Sequence, residues 1–268
     1  MLYRDERWAD GTPCWVDLMV PDRVRAAEFY QGLLGWQIEV GGADTGFYGM
    51  AMVAGRPVAG VGETPPGQEG MPAAWTTYLA VSDVDKTVAA VTEAGGTVLA
   101  PPMDVMSAGR MAIAQDPAGA VFGLWQAGDH YGTGVLDAPG APAWNECMSR
   151  DFAAAKSFYG EVFGYGFGDL SSGGFTYSTL DLAGRPVGGL GQLGPEVPAE
   201  IPSSWLAYFW VADADASAAR VTELGGQVVD APADTPHGRL VTAVDDQGAA
   251  FRLMMPNEQS GNPPGWKD

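Results

Sequence analysis

The chain of 268 residues repeats itself, and that repetition constrains its fold more than any other feature. A shift of 129 residues sets Pro13, Trp15, Met19, Asp22, Phe29, Tyr30 and Gly35 on Pro142, Trp144, Met148, Asp151, Phe158, Tyr159 and Gly164. The same shift sets Ala54-Gly55-Arg56-Pro57-Val58 on Ala183-Gly184-Arg185-Pro186-Val187. At a shift of 130, Trp75, Tyr78 and Asp83 meet Trp205, Tyr208 and Asp213. A fainter echo divides each half again: Leu18, Val20, Asp22 and Gly35 return 61 residues later as Leu79, Val81, Asp83 and Gly96. The unit is therefore about 60 residues, used four times.

Each unit opens with a strand-like run such as Cys14 to Val20, followed by an aspartate suited to cap a helix: Asp22, Asp83, Asp151 or Asp213. Ala26, Phe29, Tyr30 and Leu33 then recur at i, i+3, i+4 and i+7, one helical face, before Gly35 ends the helix. Short β-patterned runs follow. The unit reads β-α-β-β-β and the fold class α+β. The expected boundaries are a first domain over 1–127, a Gly/Pro/Ala-rich linker over 128–141, a second domain over 142–256 and a polar tail over 257–268.

Lys and Arg number 14 against 33 Asp and Glu, a formal charge of −19, with 46% hydrophobic residues. Such a chain folds, and its acidic surface repels phosphate backbones and anionic headgroups, which argues against nucleic acid and membranes as partners. No apolar run approaches bilayer length and the opening residues lack the apolar region of an export signal, so the expected location is cytoplasmic. The two cysteines, Cys14 and Cys147, read as inert buried thiols.

Four βαβββ units paired into two halves, with the segments AAEFYQGLLGW, AAAKSFYGEVFGY, QDPAGAVFGLW and DDQGAAFRLM, resemble the vicinal oxygen chelate superfamily of glyoxalases, bleomycin-resistance proteins and extradiol dioxygenases. The resemblance implies two tandem domains, each a pair of modules forming a half-open barrel with a concave cleft. It also implies a divalent metal held by His, Gln or Glu at fixed strand positions. Carried onto this chain, those positions fall at Trp15, near Thr77 and at Gly123 in the first half, and at Trp144, Ala207 and Arg252 in the second. None is a ligand type. With only His130 and His237 in the chain, neither a bound metal nor another cofactor is expected.

Strand alternation sets Trp15, Asp17 and Met19 on one face, and Trp144, Glu146 and Met148 on its counterpart. By the same count Trp125 and Arg252 join these clefts from the last strands, and Trp75 with Thr77, and Trp205, from the opening strands of the second and fourth modules. Asp17 and Glu146 are the candidate catalytic or hydrogen-bonding groups, because a carboxylate midway along an apolar strand is costly unless paired or used. A Glu146–Arg252 ion pair would neutralise the second site and leave Asp17 the freer acid. The AGRP motifs read as strand-joining turns and His237 as a surface histidine. The expected function is metal-free binding of a small hydrophobic or aromatic molecule; the alternative is a hydroxylase, dioxygenase or glyoxalase-like enzyme. The fused halves predict a monomer or a weak homodimer.

Overall fold

The computed structural model describes residues 1–68 and 70–257. The tail expected over 257–268 lies, from Glu258 onward, outside the described residues.

The first half runs β1 (Pro13–Val20), α1 (Arg23–Leu34), β2 (Gln37–Val40), β3 (Gly49–Val53), β4 (Arg56–Glu63), β5 (Ala74–Ala80), α2 (Val84–Glu93), β6 (Thr97–Val105), β7 (Gly109–Gln115) and β8 (Val121–Ala127). The second half repeats it as β9 (Pro142–Ser149), α3 (Phe152–Phe163), β10 (Gly166–Asp169), β11 (Tyr177–Leu182), β12 (Arg185–Gln192), β13 (Ser204–Trp210), α4 (Ala214–Glu223), β14 (Gln227–Thr235), β15 (Gly238–Val244) and β16 (Ala250–Met255). All four helices begin at the expected aspartates. Asp22, Asp83, Asp151 and Asp213 each accept the backbone N–H three residues on. Gly35 and Gly164 end α1 and α3 with φ of 69°, a left-handed conformation open to glycine at little cost.

Each half is one open eight-stranded mixed sheet, ordered β2-β3-β4-β1-β5-β8-β7-β6 and β10-β11-β12-β9-β13-β16-β15-β14. Within a module the opening strand pairs in parallel with the closing one. The two modules of a half join through the antiparallel pair β1–β5 or β9–β13. The expected tandem βαβββ architecture is thus present. At the AGRP motifs Ala54 and Gly55, and Ala183 and Gly184, adopt positive φ in a two-residue hairpin turn. The Arg56 side chain leaves that turn to pair with Asp5 and to lie over the Tyr3 ring.

The core crosses between the halves. One apolar cluster joins Phe29 and Tyr30 of α1 and Val61 of β4 to Phe209 of β13, Val221 of α4 and Phe251 of β16. A second joins Leu79 of β5 and Phe122 of β8 to Phe158 and Tyr159 of α3 and Leu190 of β12. The first module therefore packs on the fourth, and the second on the third. Each fully buried large side chain contributes roughly 1.5–3 kcal/mol, so neither half holds its full apolar burial alone. Each shared core also carries a polar tie. The Trp75 indole donates to the Tyr30 hydroxyl at 2.9 Å, which donates to Asp245 at 3.1 Å. Trp205 donates to Tyr159 at 2.8 Å, beside Asp116.

Those ties correct one expectation. Trp75 and Trp205 do not line the clefts; both lie in the shared cores on the helix-covered faces of the sheets. Thr77 shares that face, its hydroxyl donating to Asn145 at 2.8 Å. The cause is register. Trp15 sits opposite Tyr78 and Asp17 opposite Thr76, with an irregularity between Pro13 and Trp15, and opposed residues of an antiparallel pair share a face. A count one residue out sends every side chain of the strand to the wrong side.

Candidate functional site

The outward face of the first sheet carries a third cluster, of Trp15, Tyr78, Ala80 and Trp125, with Trp8, Met50, Met111 and Ile113 packed against it. Glycines make room for its rings. A Cβ at Gly123 would fall 2.1 Å from Tyr78, and one at Gly60 would overlap the Tyr48 hydroxyl. Met19 lies over Gly62 in the same way.

Asp17 stands within this apolar setting. The Tyr48 hydroxyl donates to its Oδ2 at 3.3 Å and the Tyr78 hydroxyl to the same oxygen at 3.1 Å. The Trp15 indole N–H donates to the Tyr48 oxygen at 3.2 Å. The other carboxyl oxygen, Oδ1, is buried and has no partner among the described residues. Burial pushes the Asp17 pKa up to about 7, against the opposing pull of the two tyrosine hydrogen bonds. Burial, and then the neighbouring Asp17, hold the hydroxyls of Tyr48 and Tyr78 well above their ordinary range.

His130 packs against the rings of this cluster. Its ring meets the Trp15 ring edge-on, with centroids 4.5 Å apart, and lies 5.7 Å from Trp125. The Trp125 indole donates to its main-chain carbonyl at 2.9 Å. The imidazole Nε2 is buried and has no partner among the described residues, and burial pulls the His130 pKa down to about 4, so the ring is neutral at pH 7. The segment expected as a linker brings it there. Residues 132–136 of that segment are buried, and the Thr133 N–H donates to the Cys14 carbonyl at 2.8 Å.

The second sheet repeats the frame with a different ending. Trp144 donates to the Tyr177 hydroxyl at 3.1 Å, and Tyr177 to Glu146 Oε2 at 3.1 Å. Glu146 Oε1 lies 2.6 Å from Arg252 Nη1. Arg252 also donates to the Tyr208 hydroxyl and, through Nε, to Thr242 at 3.1 Å. Its guanidinium lies over the Tyr208 ring, 5.3 Å from the centroid. Met148 is buried on this face over Gly191. The ion pair read from the sequence is present. Both carboxylates accept a bond from a Trp–Tyr relay; only the second is neutralised by a cation.

A family model described as the Glyoxalase/Bleomycin resistance protein/Dioxygenase superfamily matches residues 14–124 and again 145–253. The chain belongs to this superfamily. It is 40% identical over 259 residues, 94% of this chain and 97% of the relative, to CFP32 of Mycobacterium tuberculosis, a protein named provisionally as a glyoxylase. It is 39% identical over 261 residues, 92% of this chain and 94% of the relative, to the anthracycline biosynthesis protein DnrV of Streptomyces peucetius. Among solved structures it resembles the Mn(II)-bound glyoxalase from Novosphingobium aromaticivorans, with a TM-score of 0.65 and 16% identity over 92% of this chain and 82% of that one. The 2,3-dioxygenase LapB from Pseudomonas sp. KL28 gives the same score and identity over 97% and 96% of the two chains. These structural likenesses describe the fold.

The superfamily's divalent ion does not fit the residues that this member places at the ligand positions. With the register observed, the corners of the first cleft are Trp15, Tyr78 and Gly123, and those of the second are Trp144, Tyr208 and Arg252. An indole N–H already donating to a tyrosine offers no lone pair, glycine offers no side chain, and a guanidinium is itself a cation. Among the described residues no three His, Cys, Asp or Glu side chains converge.

Of the residues expected from sequence, Trp15, Asp17, Met19 and Trp125 meet on the first outward face, and Trp144, Glu146 and Arg252 on the second. Tyr48, Tyr78, Tyr177, Tyr208 and His130 escaped that reading. The tyrosines left a signal, because Tyr48 recurs as Tyr177 and Tyr78 as Tyr208 at the repeat shifts. His130 left none. His237 is exposed and both cysteines are free and buried. A hollow of about 450 Å³ beside Leu34, Trp210 and Arg220 contains neither Asp17 nor Glu146.

Proposed function

We propose that this superfamily member binds a flat, largely apolar organic molecule bearing a hydroxyl or carbonyl group in its first-half cleft, with Asp17 as the polar anchor. The supporting observation is the unpartnered, buried Oδ1 of Asp17 among Trp15, Tyr48, Tyr78 and Trp125. An orphaned buried polar atom costs about 1–3 kcal/mol, which a ligand donor recovers on binding. Tryptophan and tyrosine faces suit an aromatic guest. Similarity to a protein named for anthracycline biosynthesis agrees with such a guest. The Glu146–Arg252 pair leaves the second cleft without a free acid, so the first is the working site. The protein acts as a monomer, since its fused halves already supply each other's packing.

Titration watched by tryptophan fluorescence tests this reading. Bicyclic to tetracyclic aromatic alcohols and ketones, 2-tetralone among them, are expected to quench emission saturably with one site per chain. Removal of the anchor in Asp17→Ala is expected to weaken binding of the alcohols about tenfold. Unchanged emission across the set overturns the proposal.

A further inference from the structure

We infer that the first aromatic cluster lies under a lid, made of the strap over residues 128–134 that carries His130 and the arm over residues 4–10 that carries Trp8, and that this lid lifts to admit the guest. The inference rests on the binding reading above and adds the regulation of that same site. The cluster is closed: Trp15, Tyr78 and Trp125 are buried, Asp17 Oδ1 and His130 Nε2 are sealed from solvent, and the hollow beside Trp210 touches none of them. Those two sealed polar atoms have no partner among the described residues, and each bears a desolvation cost that a purely apolar plug would not. Opening returns both to water, so the closed state is held against a standing penalty.

Both covering segments lie outside the βαβββ units. The strap is fastened by main-chain bonds at its two ends. The N–H groups of Gly128 and His130 donate to the Ala108 carbonyl at 2.8 and 3.0 Å, and that of Asp129 to Ser107 at 2.9 Å, in the turn between β6 and β7. At the other end Thr133 donates to the Cys14 carbonyl and Gly134 to that of Pro57, both at 2.8 Å. Of residues 5–10 only Trp8 turns inward, and it packs on the cluster. The Arg4 guanidinium lies 4.2 Å from the centre of the Trp8 ring and ties the arm by donating to the carbonyls of Glu6 at 3.1 Å and Arg7 at 2.7 Å. The Arg4 N–H donates to the Gly134 carbonyl at 3.1 Å, which joins the arm to the strap. None of these bonds belongs to a ladder of the eight-stranded sheets, so the cover can leave with both sheets intact.

The test compares the full chain with its Trp8→Ala variant, with amide hydrogen exchange read by mass spectrometry and binding of 2-tetralone read by tryptophan quenching. Without ligand, the variant is expected to exchange residues 128–134 about tenfold faster than wild type, while α1 and α4 in the shared core keep wild-type rates. Equal exchange over 128–134 overturns the lid. So does acceleration that spreads equally to α1 and α4, since it reports loss of the whole fold. With ligand, the variant is expected to bind several-fold more tightly, because the apparent Kd is the intrinsic one divided by the open fraction. A residue that merely lines the site gives the opposite sign, so weaker or equal binding by Trp8→Ala overturns the lid. Quenching of the variant alone supports it. If 2-tetralone quenches neither protein, the binding reading for ketones fails, and the exchange result by itself decides the lid.

Discussion

The Arg252 guanidinium and the Glu146 carboxylate meet at 2.6 Å in the second cleft, where the first half sets Gly123 and Asp17. The glycine-to-arginine difference at this repeated position thus leaves one carboxylate paired with a cation and its counterpart without one. The glycine leaves space that the Tyr78 ring fills, and Asp17 remains without a cation.

Breaking that pair from one side should be costly. Arg252→Met leaves the nearly fully buried Glu146 uncompensated, with an expected loss of about 3–5 kcal/mol in urea unfolding at pH 7. The double variant Glu146→Gln, Arg252→Met should recover much of that loss. An equal loss in both would mean that packing, not charge, dominates.

Asp17 should make stability depend on pH in the direction opposite to a salt-bridged acid. Its folded pKa of about 7 lies above the unfolded value near 3.8, so the native state binds its proton more tightly. Its contribution is present in full below about pH 4 and is lost as pH rises toward 7. Asp17→Asn is therefore expected to be more stable than wild type by a few kcal/mol at pH 8 and equal to it near pH 4, read from urea midpoints at both pH values.

Removal of the Tyr30 hydroxyl strikes both halves at once. Tyr30→Phe leaves the Trp75 indole N–H and one Asp245 oxygen without their bonds across the shared core. The expected loss is about 1–3 kcal/mol. Unfolding should remain a single transition by fluorescence and circular dichroism, because each core is built from both halves. Two separated transitions would contradict that account.

Gly123→Ala tests the packing beneath the first cleft. Its Cβ would fall 2.1 Å from Tyr78, so the ring must move and weaken its bond to Asp17. A loss of about 1–3 kcal/mol is expected, together with weaker quenching by aromatic ligands. Unchanged binding would remove Tyr78 from the site.

Local chemistry wrote much of this molecule legibly. The fourfold unit, the four aspartate caps, the AGRP turns, the alternation that puts Trp15 with Asp17, and the partnership of Glu146 with Arg252 all follow from residues near one another or from aligned repeats. Capping and turn preferences act over three or four residues, and a period of two needs only one strand. The face of β5 was decided elsewhere, by its pairing register with β1, and this turned Trp75 into the core and Tyr78 toward Asp17. The packing of the first module on the fourth, and the arrival of His130 against Trp15 from a segment without periodicity, were likewise set by tertiary structure. Those relations join residues about 60 to 220 positions apart, and such contacts are chosen by the burial of whole faces.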